Sequence, residues 1–430
     1  MSDARDVPVD PTSFERLASQ NLTYRVIDTA SRADAEAFVR ADARGFLDAE
    51  PETAAVEADI VGITDRRNIG VFEAESEAGT WPVATINSWV TPLTVPGGEI
   101  DMWAISSVTV SGTHRRRGIA RALLEGELRA ASSAGVAIAG LTVSEATIYG
   151  RYGFAPAIPV AKVTVDTRRA GWAGGEPNGS LEYVDKQALK KNIAVLHEIE
   201  RTQRSGQVAG WDRRWERVAG LAAGDPKAAS RRGVRYLDED GATRGVMSYS
   251  LAEIPGTFHS ELAITQLSAV TADALRALWG FAIQHDLVDK VTVDLRAVDE
   301  PLPWLVKDRR GVEVSVHDHG WLRILDVAAA LTARTYRAPL DLVFEISDPL
   351  GFAAGLWRVQ VAGGRATVSA DSGGSADAVL DVGALSAIYA GGVSATELHA
   401  AGRLDATTEV AASIDDAFRS THAPVLGIWY

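Results

Sequence analysis

The chain has 430 residues, of which 46% are hydrophobic and 23% charged, and 57 acidic against 43 basic residues give a formal net charge of −14. This is the composition of an ordinary globular protein of two or three domains, which excludes a disordered or fibrous chain. The acidic excess disfavours a general nucleic-acid or anionic-membrane surface and mildly favours a cationic ligand, while the lack of cysteine excludes disulfides and thiolate chemistry.

The chain begins with a polar, acidic stretch, Met1–Gln20, rather than a charged leader followed by an apolar run, so no secretion signal is expected. No apolar stretch reaches membrane-spanning length. The eight histidines are scattered without metal-ligand spacing, so no metal is predicted. We therefore expect a cytoplasmic protein that has neither a membrane nor a nucleic acid as its partner.

The first clear pattern along the chain is a strand, a turn, a helix and a second strand. Asp101–Ser111 is rich in β-branched residues and predicts a strand, and Gly135–Val143 is an apolar run of strand length. Between them Ile119, Leu123 and Leu128 recur at helical spacing. The pattern predicts a βαβ unit with two parallel strands.

Three consecutive arginines, Arg115 to Arg117, stand between the first strand and the helix, directly before Gly118. A helix N-terminus leaves backbone N–H groups without intrahelical partners and attracts anions. Gly118 would let a phosphate approach the backbone, Ala120 keeps the next turn small, and the arginines add donors and charge. A pyrophosphate fits this design, and a solvated basic helix start is the alternative because Arg-x-x-Gly-x-Ala is a short motif.

Two further blocks follow this unit. Arg168–Val184 is dense in Gly, Pro and Asn, which marks a loop or a boundary. The second block mixes helices and strands up to about His319, and the third contains two alternating runs joined by Gly363-Gly364, which predicts a hairpin. The predicted fold class is therefore α/β (α+β).

Several segments together resemble the enhanced intracellular survival family of GNAT acetyltransferases. Arg115–Ala120 looks like the acetyl-CoA pyrophosphate loop of GNAT enzymes, and Ile148–Phe154 resembles their Y-x-x-x-G-F segment. The segments that carry the narrower resemblance are VTVSGTHRRRGIARALL, SEATIYGRYGFAPA, PLPWLV, GWLRILDVAAAL and LSAIYAGG. The resemblance implies an N-acetyltransferase that uses acetyl-CoA as acyl donor.

The resemblance also implies tandem GNAT folds followed by a C-terminal sterol-carrier-like α/β domain. Residues 1–165 would form the GNAT domain with the acetyl-CoA site, 166–319 a second GNAT-like domain without a cofactor, and 320–430 the sterol-carrier-like domain. Arg231–Leu237 and Asp308–Ser315 contain Arg and Gly but continue as strands, so only one cofactor site is predicted. Members of the family acetylate primary amines, including aminoglycosides, and assemble as hexamers built from trimers, and we expect both here.

The resemblance assigns residues to acetyl-CoA by position. The strand before the arginines would pair its backbone with the pantetheine arm, the arginine loop would hold the pyrophosphate, and two residues after the second strand would border the same ligand. The implied contacts are Val108, Thr109, Val110, Arg116, Arg117, Gly118, Ile119, Ala120, Arg121, Ser144 and Glu145.

Two residues are implied to carry the chemistry. Tyr149 matches the family's general acid. A phenol with a pKa of about 10 can protonate a leaving thiolate and is not ionised at neutral pH. The C-terminal carboxylate, here that of Tyr430 in the apolar ending HAPVLGIWY, matches the family's general base, although a weak base of this kind requires desolvation or a bridging water. A core tyrosine and a terminus that merely packs are the alternatives.

Two acidic residues are candidates for binding the acceptor. Asp48 and Glu50 lie in a stretch that resembles the family's acidic lining, with Asp48 the better match, and an ammonium-rich ligand would contact such carboxylates. Surface acids at a helix end are the alternative. A tryptophan of the family's pattern is missing further along, where Ala58 stands, and Trp103 could either supply an aromatic wall or lie in the core.

Two other classes of function stay open. The chain could be a lipid or small-molecule carrier whose functional part is the sterol-carrier-like block, or a non-catalytic protein that binds acetyl-CoA without turnover. The Arg-x-x-Gly-x-Ala motif, Tyr149 and an apolar terminus occur together in this chain, which favours an active acetyltransferase.

Overall fold

The computed structural model describes residues 3–77, 79–143 and 145–430. Its α-helices are α1 (Pro11–Ala18), α2 (Arg32–Gly45), α3 (Thr53–Ile63), α4 (Ile119–Ser133), α5 (Ala146–Tyr149), α6 (Thr167–Ala170), α7 (Lys186–Arg201), α8 (Asp212–Ala219), α9 (Ala272–Ile283), α10 (Val327–Ala333), α11 (Val382–Tyr389), α12 (Ala395–Ala400) and α13 (Thr408–Phe418). Its strands are β1 (Leu22–Val26), β2 (Arg67–Glu73), β3 (Ala84–Val95), β4 (Gly98–Val110), β5 (Ile138–Thr142), β6 (Ala155–Asp166), β7 (Ser180–Val184), β8 (Arg232–Leu237), β9 (Thr243–Glu253), β10 (Ser260–Ala269), β11 (Val288–Arg296), β12 (Val312–Ile324), β13 (Leu340–Ser347), β14 (Gly355–Ala362), β15 (Arg365–Ala370), β16 (Ala378–Asp381) and β17 (Leu404–Ala406).

The chain divides into two compact units that do not follow the chain in simple blocks. The first unit contains residues 1–158, 320–420 and 430, and the second contains 159–319 and 421–429. The last residue of the chain therefore belongs to the first unit, whereas the nine residues before it belong to the second. The predicted domain limits at 165 and 319 stay predictions.

The first unit contains the predicted βαβ arrangement. Its larger sheet has the order β1, β2, β3, β4, β5 and the end of β12, with β4 and β5 parallel and the other neighbours antiparallel. The helix α4 joins β4 to β5 and buries Ile119, Leu123 and Leu128, the three residues that predicted its apolar face. Helical spacing thus identified both the helix and the side that packs on the sheet.

A buried ion pair connects α4 to this sheet. Arg67 on β2 donates from Nε to Glu127 Oε1 at 3.1 Å, and neither side chain is accessible to solvent. Ser88 donates to the other oxygen of Glu127, whereas Arg67 also donates to the carbonyls of Val7 and Pro8. Since a buried charge without a partner is costly, these bonds hold β2, β3, α4 and the N-terminal segment in one arrangement.

Trp103 belongs to the same buried network. It is fully buried in the core of the first unit, and its indole nitrogen lies 3.3 Å from Glu127 Oε2 as a donor. The sequence left open whether Trp103 forms an aromatic wall of the acceptor site or lies in the core, and the structure shows that it lies in the core.

The first unit also contains a five-stranded sheet of order β15, β14, β13, β16, β17. Both residues of the predicted Gly363-Gly364 turn have positive φ, 58° and 77°, as the tight connection of β14 to β15 requires. Beside this sheet the buried Arg334 donates to the carbonyls of Tyr389 and Phe418.

The second unit repeats the strand pattern of the first. Its sheet has the order β6, β11, β10, β9, β8, β7, and β10 and β11 form its parallel pair. The helix between them, α9, differs from α4 at its start, because Thr271 caps it by accepting from Ala274 N at 3.1 Å. The strand–helix–strand unit is thus present twice, with different helix N-termini.

We predict that Glu127→Ala lowers the free energy of unfolding by about 3–5 kcal/mol, because it leaves the Arg67 guanidinium buried without its carboxylate. A thermal unfolding curve measures this as a lower midpoint. Arg32→Ala is the control, since the Arg32–Glu57 pair is about half exposed and should contribute nothing measurable. Equal midpoints for the two variants would show that the buried pair does not stabilise this unit.

Candidate active site

The candidate site is a fork between the two parallel strands of the first unit. β4 and β5 pair only from Met102–Ile105 against Ile138–Leu141, and beyond Ile105 and Leu141 no pairing continues. At the same point β4 contains a bulge opposite β3, and Ser107 has a φ of +54°. The N–H and C=O groups on the free side of β4 can therefore bond a ligand that lies between the strands.

The arginine loop and the start of α4 follow directly after the free part of β4. Gly118 is the N-cap residue with a φ of +76°, offers no side-chain cap, and has no neighbouring atom within 4 Å of where a Cβ would lie. Arg115, Arg116 and Arg117 are exposed, and among the described residues the only hydrogen bond of this trio joins Arg117 Nη2 to the Gln20 carbonyl at 3.1 Å. Open backbone donors and exposed cations together are an arrangement that suits an anion.

The other residues assigned to acetyl-CoA differ in their surroundings. Thr109 is buried, and its hydroxyl is hydrogen-bonded to that of Thr85 at 2.6 Å, so its side chain is not available to a ligand. Arg121 is exposed but donates to Glu125 at 2.6 Å. Glu145 is exposed and N-terminal to α5, while Ser144 lies outside the described residues.

Tyr149 is the last residue of α5 and is buried in the core of the first unit, with 7% of its surface exposed. Its ring packs edge-on against Phe154 with centroids 6.3 Å apart. Burial, helped by the charge of Glu145, raises the pKa of its phenol, so that Tyr149 stays protonated at neutral pH. No hydrogen bond or ring contact joins Tyr149 to Tyr430 among the described residues.

The turn after Tyr149 is fixed by a buried ion pair that the sequence did not reveal. Arg323 at the end of β12 donates through Nη2 to both oxygens of Asp348 at 2.7 Å, and both side chains are fully buried. The Nε of Arg323 donates to the carbonyl of Tyr152 at 3.2 Å. Because both residues come from the C-terminal third of the chain, that segment positions the turn.

The C-terminal residue also lies at the fork. Thr142 ends β5, directly past its last pairing with β4, and its hydroxyl donates to the C-terminal oxygen of Tyr430 at 2.6 Å. The Tyr430 ring packs edge-on against Trp89, with centroids 5.5 Å apart. Burial raises the pKa of its phenol. A Cβ on Gly140 would come within 3.2 Å of the Tyr430 hydroxyl, so glycine leaves the space for this ring.

Sequence analysis missed a carboxylate on the other side of the fork. Asp42 is on α2, and its Oδ1 is buried without a hydrogen-bond partner among the described residues. Burial raises the pKa of Asp42 to about 7; the Ser107 hydroxyl and the Arg66 charge lower it in part, and Asp48 and Asp59 raise it. A single acid on an amphipathic helix gives no sequence signal that separates it from a surface residue.

A line of side chains connects this carboxylate with Tyr430. Asn87 donates to the Ser107 hydroxyl at 3.2 Å and accepts from Arg66 Nη1 at 3.4 Å. The Arg66 guanidinium lies 3.8 Å from the centroid of Trp89, which in turn contacts Tyr430. Burial lowers the pKa of Arg66 to about 10, with Asp42 acting against it, so Arg66 stays charged at neutral pH.

The two acidic residues that the sequence offered for acceptor binding are exposed. Asp48 is exposed after the end of α2, and Glu50 is exposed and pairs with Arg40 at 3.2 Å. Ala58 is on α3, so this position supplies no aromatic ring. Trp89, an aromatic residue near Tyr430, was not singled out from the sequence.

Family models cover most of the chain. Acetyltransferase (GNAT) domain models match residues 26–157 and 206–324, and a sterol carrier protein domain model matches 327–427. Tandem GNAT folds with a C-terminal sterol-carrier-like domain are therefore confirmed.

Among the described residues, no helix is long and apolar enough to cross a membrane, and no group of three or more acidic or histidine side chains could hold a metal ion.

Full-length relatives agree with the family models. An uncharacterised N-acetyltransferase of Streptomyces avermitilis is 35% identical over 419 residues, which are 93% of this chain and 96% of that protein. The N-acetyltransferase Eis of Mycobacterium tuberculosis is 31% identical over 339 residues, 76% of this chain and 81% of that protein.

Solved structures show the same architecture. The crystal structure of Eis1 from Mycobacterium abscessus superposes with a TM-score of 0.80 at 29% identity, covering 95% of this chain and 100% of that one. A GCN5-related N-acetyltransferase from Anabaena variabilis shares the fold, with a TM-score of 0.77 at 19% identity over 95% of this chain. The chain belongs to the Eis family of GNAT N-acetyltransferases.

Proposed function

We propose that this N-acetyltransferase transfers the acetyl group of acetyl-CoA to primary amines of aminoglycosides or other polyamines, at the fork between β4 and β5. The observation that carries the proposal is the meeting, in one unit, of an open helix N-terminus, free strand edges and the C-terminal carboxyl group. GNAT domains use acetyl-CoA, and the free edge of β4 and the uncapped start of α4 offer hydrogen-bond donors for it. The acetyl-CoA contacts proposed are those assigned from the sequence.

The fit to acetyl-CoA rests on complementary charge and backbone. The pyrophosphate would lie at Gly118, where the first turn of α4 has uncapped N–H groups and Arg116 and Arg117 are exposed. The pantetheine amides would bond the free side of Val108–Val110. In the second unit the corresponding helix starts with a Thr271 cap, which occupies one of the donors that an anion would need. We therefore place one acetyl-CoA site in the chain.

The proposed chemistry is direct attack of the amine on the thioester. Tyr149, kept protonated by burial, would give its proton to the leaving thiolate as general acid. The C-terminal carboxylate of Tyr430, fixed by Thr142, would take the proton that the amine loses during the attack. Asp48, exposed beside the partly buried Asp42, would attract ammonium groups of the acceptor. Assembly as a hexamer built from trimers stays a prediction.

The first test is release of free thiol from acetyl-CoA by the purified protein with aminoglycosides, diamines and lysine peptides. We expect turnover with at least one class of polyamine. A variant extended by several residues after Tyr430 should lose most of this turnover and still bind acetyl-CoA, because its terminal carboxylate moves away from Thr142.

The outcomes separate the competing functions. Binding of acetyl-CoA without turnover on any amine would favour a non-catalytic binding protein, and no binding would favour a lipid or small-molecule carrier. Equal turnover by the parent and the extended protein would remove the terminal carboxylate from the mechanism.

Replacement of Tyr149 by Phe provides a second prediction. The variant keeps the ring that packs on Phe154 and loses only the hydroxyl group that carries the acidic proton, so kcat should fall on the order of 100-fold while the Kd of acetyl-CoA changes little. Calorimetric titration and initial rates measure the two quantities. Tyr152→Phe is the matched control from the same turn, and a similar loss in both variants would contradict the general-acid role.

A further inference from the structure

The geometry points to a second proton acceptor in this site. We propose that Ser107 and Asp42 form a relay that deprotonates the acceptor ammonium before it attacks, with Ser107 in contact with the acceptor and Asp42 behind it. This inference rests on the proposed function, and it assigns to the pair a step that neither Tyr149 nor Tyr430 performs.

Ser107 has the position that the relay requires. It directly precedes the strand segment proposed to pair with pantetheine, and it is half-buried rather than sealed in the core. Its left-handed φ of +54° is unfavourable for serine, and the Thr85 hydroxyl stabilises it by donating to the Ser107 carbonyl at 2.8 Å. Strained backbone that is held by such bonds is characteristic of functional sites.

The hydrogen bonds around Ser107 leave one position free. A serine hydroxyl has one proton to donate and two lone pairs. Asn87 donates to one lone pair at 3.2 Å, and the carboxylate of Asp42 is the neighbouring acceptor for the proton. The second lone pair has no partner among the described residues and can accept an N–H of the substrate.

Asp42 has the protonation behaviour of a useful base. The groups that face it are Asp48 at the end of α2, Asp59 on α3, Arg66 before β2 and Ser107 on β4. Burial, together with the effects of these four groups, raises the pKa of Asp42 to about 7. An exposed terminal carboxylate has a pKa of about 3.5 and is therefore a poorer acceptor for a proton from an ammonium group. Above that pH Asp42 is charged and able to accept.

The protons balance in this scheme. An ammonium N–H proton passes to Ser107 Oγ while the Ser107 proton passes to Asp42, which leaves a neutral amine and a protonated carboxyl. The amine then forms the C–N bond, the C–S bond breaks, and its second proton goes to the Tyr430 carboxylate. The thiolate takes the phenol proton of Tyr149. The carboxyl groups of Tyr430 and Asp42 then release their protons to solvent, and the Tyr149 phenolate regains one proton from solvent, so that one proton is released per turnover.

The test is a double-mutant cycle with Asp42→Asn, Ser107→Ala and the combined variant, assayed with an alkyl diamine between pH 7 and pH 9. We expect each single substitution to lower kcat/KM for the diamine at pH 7.5 at least tenfold. The combined variant should have the same kcat/KM as the less active single variant, because either substitution alone already breaks the relay. The loss of kcat/KM relative to the parent protein should become smaller as the pH rises, because a larger fraction of the diamine is then already neutral. The Kd of acetyl-CoA should stay unchanged.

Controls separate a relay from a structural role. Ser106→Ala, one residue away on β4, should retain parental rates, and Ser107→Gly, which suits the positive φ, should behave like Ser107→Ala. Additive losses, or a deficit that is the same at every pH, would overturn the relay while parental turnover upholds the proposed function. Absence of turnover by the parent protein would overturn both.

Discussion

The divergence of β4 from β5 is the constraint on which the rest of the site depends. As long as two strands pair, their polar backbone groups bond each other and leave nothing for a ligand. Pairing stops at Ile105 and Leu141, and within a few residues of that point lie Ser107 on one strand and Thr142 on the other. The same break in the sheet therefore places Ser107 and Thr142, and Thr142 in turn bonds Tyr430. The buried pair of Arg67 and Glu127 stabilises the strands and helix beside it.

The proposed role of the Tyr430 carboxylate depends on the last residue, which belongs to the first unit. Thr421–Trp429 belongs to the second unit, where the Val425 amide donates to the Ser205 carbonyl at 2.9 Å and a His319 ring nitrogen lies 2.9 Å from the Ile428 carbonyl. Tyr430 belongs to the first unit and bonds Thr142. A chain terminus is ordinarily frayed, and a frayed carboxylate cannot act as a positioned base. These hydrogen bonds restrict the conformational freedom of the last residues and so hold the carboxylate of Tyr430 in place.

The sequence predicted the elements well where periodicity and local motifs decide them. The apolar face of α4, the Gly363-Gly364 turn and the βαβ unit follow from spacing within a few dozen residues. Residues that depend on tertiary contacts were not accessible in this way. Trp103 and Trp89 are both strand tryptophans, and only the register and the buried Glu127 show that the first is in the core and the second contacts Tyr430.

Asp42 illustrates the same limit, and the relay proposed for it gives the site two carboxylates. Its importance arises from burial and from Ser107, Asp48, Asp59 and Arg66, which lie far apart in sequence. The two proposed bases face different acids: the free ammonium is a weak acid and requires a base with a raised pKa, whereas the nitrogen that has just attacked the carbonyl is a strong acid and loses its proton even to a weak base. The raised pKa of Asp42 suits the first of these steps, and the Tyr430 carboxylate is needed only for the second. Two carboxylates therefore divide the work, because a single one that had accepted the first proton would have to release it before it could accept the second.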